Sequence, residues 1–150
     1  MKMEGTYEVP APREVVYAHL LDPEKLAQAL PGCKKLEPSP DGSYHAEMTV
    51  GIGAIKGSYH GRVEILDQVP PERFRMMVNG QGKGGFLKGE GTLALTDSAG
   101  GTTVHYSGDA QVGGIFAAVG QRMIQAATKQ ILREFFQAFA KLLQQAPPAQ

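Results

Sequence analysis

Apolar and polar positions alternate with a period of two along most of the chain, in segments at about 34–38, 43–53, 55–68, 73–83, 86–97 and 102–112. Such alternation predicts strands with one buried face. The separators are turn chemistry: Pro40-Asp41-Gly42, Gly53, Pro70-Pro71, Gly84-Gly85 and Ala99-Gly100-Gly101. Connections this short allow hairpins but no parallel crossovers, so the sheet is expected to be an antiparallel meander. Residues 3–9 alternate up to Pro10 and predict a first strand. Short helices are expected at 14–21, after Pro12, and at 23–30, ended by Pro31-Gly32.

After Gly113-Gly114 the period changes. Residues 115–145 contain no proline, and no glycine after Gly120. At 100° per residue Arg122, Gln125, Lys129, Arg133, Gln137, Lys141 and Gln144 share one side, with Gly120, Ile124, Ala127, Ile131, Phe135, Ala138 and Leu142 opposite. One long amphipathic helix is therefore expected, its apolar stripe against the apolar face of a curled sheet. The fold class is α+β, with about seven antiparallel strands wrapped around a long C-terminal helix and two short helices after the first strand. Residues 1–146 are expected to form a single domain, followed by a short tail at 147–150.

Splitting each strand by parity gives the lining of the interior. The inward set takes Met48, Val50 and Ile52 from one segment, Tyr59 and Val63 from the next, then Met76 and Val78, Leu87 and Leu93, and Tyr106. No inward position carries a charge, whereas His45, Lys56, His60, Arg62, Glu64, Lys88, Glu90 and His105 fall on the opposite face. The inward glycines Gly57, Gly61, Gly89, Gly91 and Gly108 have two readings: bends in the sheet, or missing side chains that leave volume for a ligand. The helix stripe favours volume. It is small in its first half, at Ala117, Gly120 and Ala127, and bulky in its second, at Ile131, Phe135 and Leu142. An apolar cavity is expected under the first half, with Phe116, Met123 and Ile124 as walls, and methionine adapts well to irregular ligands.

Charge and chemistry narrow the function. Lys plus Arg equals Asp plus Glu at 15 each, so no overall field draws the chain to nucleic acid. The outer side of the last helix is cationic but reads first as a solvated face, with an approach to anionic lipid or an acidic partner as the sharper alternative. The single cysteine, Cys33, can form no intramolecular disulfide. No apolar leader or 18-residue apolar run occurs, and a cytoplasmic protein is expected. By parity His45, His60 and His105 face outward, so no catalytic residue and no metal site is expected. Tyr59 and Tyr106 each bring one hydroxyl inward, as core tyrosines or to orient a carbonyl-bearing ligand. The run from Gly80 to Gly85 lacks the Gly-Lys-Ser/Thr of a phosphate loop and reads as a hairpin, with Lys83, Phe86 and Lys88 at the cavity lip as candidates for a partner surface.

Leu30-Pro31-Gly32-Cys33, the hairpin from Gly80 to Gly91, Asp109-Ala110-Gln111-Val112-Gly113-Gly114 and Val119-Gly120-Gln121-Arg122 together resemble the CoxG family of carbon monoxide dehydrogenase accessory subunits. That family lies within the START-like, polyketide-cyclase-like helix-grip superfamily, and the resemblance spans about residues 2–143. It implies a helix-grip domain with an apolar cavity, and an accessory protein for a molybdenum hydroxylase of the carbon monoxide dehydrogenase type. Its ligand would be a hydrophobic small molecule, a quinone or another lipid, with no covalent or metal cofactor. Some members carry a membrane-anchoring tail. This chain runs out at Pro147-Pro148-Ala149-Gln150, so at most peripheral contact at the inner face of the membrane is expected. An enzyme of the cyclase or hydratase kind and a pure assembly adaptor are the competing classes. If the histidines are bystanders, replacing His45, His60 and His105 together by Gln leaves ligand affinity within about threefold; collapse of binding in a folded variant would overturn the face assignment.

Overall fold

The computed structural model describes residues 1–51 and 53–145. Its elements in chain order are β1 (Lys2–Val9), α1 (Arg13–Leu20), α2 (Pro23–Ala29), β2 (Cys33–Pro38), β3 (Tyr44–Val50), a single 3₁₀ turn (Gly53–Ile55), β4 (Gly57–Val69), β5 (Arg73–Gly82), β6 (Gly85–Ser98), β7 (Gly101–Gly114), α3 (Ile115–Val119) and α4 (Gln121–Gln145). The seven strands form one antiparallel sheet in the order β1-β7-β6-β5-β4-β3-β2. Strands β2 to β7 follow one another as a meander. Only β1 is displaced, pairing with β7 from Lys2 opposite Asp109 to Val9 opposite Thr102.

The two short helices fill the gap between β1 and β2. Helix α2 is set by Asp22, whose carboxylate accepts the Glu24 N–H at 3.0 Å, and by Pro23 in its first turn, where a missing N–H costs nothing. It packs along both α4 and β2. The buried core joins Val16, Tyr17 and Leu20 of α1 to Phe74, Leu93, Leu95 and Val104 of the sheet and to Phe135, Phe136, Phe139 and Leu143 of α4.

Two features of the C-terminal region differ from the sequence pattern. The expected continuous helix is broken at Gly120, whose φ of +99° lies in the region that glycine tolerates and other residues do not. A single glycine inside a helical pattern costs only about 1 kcal/mol, so periodicity alone does not mark the break. Gly120 nevertheless accepts the Ile124 N–H at 3.2 Å, which starts α4 afresh.

The second difference is the phase of the buried stripe. Ile124 and Ala127 are buried as expected, but further along burial passes through Phe135, Phe136, Phe139 and Leu143, while Ile131, Ala138 and Leu142 are only half-buried. The stripe turns by about one residue position around the helix. Helix α2 packs along α4 and gives it a second neighbour beside the sheet.

The corrected phase makes a stability prediction. Phe139, at 0% exposure, should cost about 3–5 kcal/mol when replaced by Ala. In denaturant unfolding, Leu143→Ala should also lose more than Leu142→Ala; the reverse order would restore the phase expected from periodicity.

Candidate ligand-binding site

Cross-strand register brings the inward set together. Met48 stands opposite Tyr59, and Val50 opposite Gly57. Val63 faces Val78, Met76 faces Gly91, Leu93 faces Tyr106, and Leu87 lies between Gly80 and Val112. Opposed residues in a ladder share a face, so these side chains all project from one side of the sheet. Ile52 lies outside the described residues.

That apolar face has two unlike ends. At one end Leu93 is sealed into the core with Phe74 and Phe139, and Met76 and Tyr106 border it. At the other, Met48, Val50, Tyr59, Val63, Val78 and Leu87 keep part of their surface accessible, although none carries a charge. From the helical side Phe116, Ile124 and Ala127 are buried, and Gly120 is half-buried in the break. Met123 and Ala117 do not join them. Met123, expected as a wall, is 56% exposed, because the buried side of the first turns of α4 runs through Ile124 and Ala127.

The inward glycines separate by position into the two roles that the sequence leaves open. A Cβ at Gly61 would stand 2.7 Å from the Asn79 carbonyl oxygen, and one at Gly108 would stand 2.9 Å from that of Glu90. These two serve the close approach of neighbouring backbones. Gly80 is different: among the described residues no atom lies within 4 Å of where its Cβ would be. Gly80 faces Leu87 on β6 and Gly61 on β4, so the empty space lies on the apolar face, at its loosely covered end. The only sequence signal for Gly80 is parity, since it continues the series Phe74, Met76, Val78. Tyr7 is a further inward residue absent from the expected lining; it stacks on Tyr106 at 5.9 Å and on Phe136 of α4 at 4.4 Å.

Three other glycines make room for aromatic rings. Tyr106 lies over Gly5, Tyr59 over Gly82 and Phe86 over Gly113, each glycine being the direct cross-strand partner of its ring. The Tyr59 ring also meets Phe116 of α3 at 5.4 Å, and its hydroxyl donates to the Ile55 carbonyl at 2.6 Å. That bond holds the 3₁₀ turn against the end of the sheet. Burial pushes both Tyr59 and Tyr106 above the ordinary tyrosine pKa, so each hydroxyl stays protonated and able to donate near neutrality.

Nothing comparable activates the remaining candidates. Burial raises the Cys33 thiol, whose Sγ donates to the Lys35 carbonyl at 3.4 Å, and a raised thiol is a poor nucleophile. His45, His60 and His105 are exposed, and His19 sets Nδ1 against the Val15 carbonyl at 2.8 Å. Among the described residues no three His, Cys, Asp or Glu side chains converge as metal ligands. Two open hollows lie on the outer face of the sheet, lined largely by polar side chains such as Glu4, Thr6 and His105, or His45, His60 and Arg62.

A seven-stranded antiparallel sheet gripping a long C-terminal helix, with an uncharged and partly open inner face, defines a START-like helix-grip protein. It is similar over 96% of its length to 97% of a START superfamily protein from Mycobacterium smegmatis, with a TM-score of 0.74 at 16% identity. A protein from Thermus thermophilus matches with a TM-score of 0.72 at 18% identity, over 97% of this chain and 100% of that one. A conserved protein from Geobacillus kaustophilus is nearer in sequence, at 36% identity over 94% of this chain and 93% of that one, with a TM-score of 0.89. The family model for CoxG, the G-type subunit of carbon monoxide dehydrogenase, matches residues 5–144, and the chain belongs to that family. Among curated proteins no match is found.

The glycine geometry is open to a direct test. Gly80→Val should leave stability within about 1 kcal/mol, since it adds a strand-favouring side chain to open space. Gly61→Val should lose about 1–3 kcal/mol or more through its clash with the neighbouring backbone. Equal losses in thermal unfolding would mean that the space beside Gly80 is already filled.

Proposed function

We propose that this chain is a non-catalytic accessory protein that holds an apolar small molecule against the inner face of its sheet. The ligand is a quinone, and the protein serves a molybdenum hydroxylase of the carbon monoxide dehydrogenase type by delivering its electron acceptor. The observation that carries the reading is the open space beside Gly80, at the end of the face where uncharged side chains stay partly accessible. Family membership supplies the kind of partner.

Close packing does not leave apolar surface uncovered without cause, and a ligand site is typically an apolar recess with a few polar groups that fix orientation. Met48, Val63 and Val78 suit a hydrocarbon tail. A quinone carbonyl needs a donor. Tyr59 is the inward tyrosine at the Gly80 end of the face, and its hydroxyl would exchange the Ile55 carbonyl for that of the quinone, whereas Tyr106 borders the sealed core at the other end. Two electrons leaving a soluble hydroxylase require an acceptor of this redox class, and enclosing it would bring it out of the bilayer.

The competing enzyme reading needs an acid, base or nucleophile beside the ligand. The described inner face is uncharged and its tyrosines are pushed upward, away from the base form, which favours carriage over catalysis.

Native mass spectrometry of the chain purified from a quinone-producing host tests the proposal. A bound mass equal to a respiratory quinone is expected, reduced at least about tenfold in Gly80→Leu, which occupies the same space. Protein that carries no ligand and takes up no decylubiquinone on reconstitution would exclude the carrier and leave the adaptor.

A further inference from the structure

Three of the four large hydrophobic side chains that stay exposed among the described residues belong to one end of the molecule: Phe86 at 43%, Ile115 at 40% and Met123 at 56%. They lie on connected pieces of chain. Phe86, the second residue of β6, rests on Gly113 on the outer face of the sheet; Ile115 starts α3 on the opposite side, its side chain beside Gly84 and Gly85; Met123 sits in the first turn of α4, just beyond the break at Gly120. The exposed Ala117 and Ala118 add two small apolar side chains to the α3 surface. Beneath it Phe116 turns inward against Tyr59, so this tip is also the outer wall of the loosely covered end of the grip.

The charge around the tip is one-sided. The chain as a whole is neutral, but residues 79–89 contain Lys83 and Lys88 and no acid, and residues 110–133 contain Arg122, Lys129 and Arg133 and no acid. The 3₁₀ turn, which packs against α3, adds Lys56 at its end, whereas Arg62 further along β4 is already paired with Asp41 and Glu64. A surface that is apolar at its centre and cationic at its edge has one complementary partner that offers both features at once: a bilayer with anionic headgroups above hydrocarbon. We infer that the tip formed by the β5–β6 turn, α3 and the first turn of α4 docks on anionic phospholipid membranes, seating Ile115 and Met123 below the headgroups. The inference rests on the reading that the grip carries a lipophilic ligand, because docking here would set the loosely covered end of the grip against the ligand's source.

Glycines at both ends of α3 fit that task. Gly114 has φ +64° and Gly120 has φ +99°, so the segment joins β7 and α4 through two positions that other residues would strain. Apart from its chain neighbours no described atom lies within 4 Å of the Gly120 Cβ position, so nothing packs over the break, whereas the start of α3 is held by the Ile115 N–H donating to the Gly84 carbonyl at 2.8 Å.

The chain contains no tryptophan, so a single introduced indole reports its own depth. Met123→Trp is tested with vesicles of phosphatidylcholine alone and with 30% phosphatidylglycerol, and Met77→Trp, on the outer face of β5 between Glu64 and Glu90, is the control. The expected result is a blue shift and quenching by brominated lipid for Trp at 123 with anionic vesicles only, and neither effect at 77. Adding Lys83→Glu and Arg122→Glu should weaken vesicle binding at least about tenfold, from roughly fivefold per basic residue near such a surface. No partition into anionic vesicles, equal quenching at both positions, or a tip that binds only the hydroxylase partner would overturn the inference. Mass spectrometry of the same samples separates the two ideas: loaded protein that ignores vesicles removes the docking surface and keeps the carrier. Empty protein that docks with the expected pattern does the opposite.

Discussion

Phe135, Phe136 and Phe139 give the sheet a solid body to close on, and the rest of the architecture follows from where they sit. A curled antiparallel sheet has an apolar concave face that must be covered, and these rings cover only part of it. Phe136 reaches the sheet through Tyr7, and Tyr7 through Tyr106, so an aromatic column runs from the helix to the paired strands β1 and β7. Rings in such offset stacks add roughly 0.5–1.5 kcal/mol to the area they bury. Because the three phenylalanines occupy the second half of α4, stability is concentrated at that end. The first half, with Ile124 and Ala127 buried and a break at Gly120, brings no aromatic ring to the face.

Most of the sheet was legible because period-two alternation is a direct consequence of pleating. The faces assigned from Met48, Tyr59, Val63, Met76, Leu87 and Tyr106 reappear as cross-strand partners in the ladder. The helix was less legible. Residues 131, 132, 135, 136, 138, 139, 142 and 143 are all apolar, a band too wide for periodicity to find its centre, and α4 has α2 as well as the sheet for a neighbour. The exposure of Met123 follows from the same limit. Composition flagged the glycines, but their separate roles depend on which backbone or ring stands opposite, and that is a property of register. Gly80 and Gly61 are indistinguishable in sequence, yet one faces open space and the other a carbonyl oxygen.

The division of labour also explains how the domain can be both stable and receptive. Apolar surface left partly uncovered forgoes packing, and in a domain of this size such a loss is a considerable share of the net stability. Here the loss is confined to one end. Tyr59 tethers the 3₁₀ turn through Ile55 and supports Phe116, so this end of the face is bounded by one hydrogen bond and one ring contact outside the main core. Changes at that end should therefore cost less stability than changes around Phe139.

The displacement of β1 from its neighbours in sequence sets the order in which the chain can assemble during synthesis. Lys2 pairs with Asp109, so the first strand leaves the ribosome about five to twenty seconds before its partner exists, at ordinary elongation rates. Over that interval β2 to β6 can zip as successive local hairpins, while the eight residues of β1 stay unpaired beside α1 and α2. When β7 emerges it joins β6 first, as the next hairpin, and briefly presents a bare edge of fourteen residues. Capture of β1 by that edge is intramolecular only as long as no second nascent chain offers the same strand. The topology thus links the fidelity of folding to the spacing of ribosomes on the message, since an exposed edge of this length is also a template for pairing between molecules.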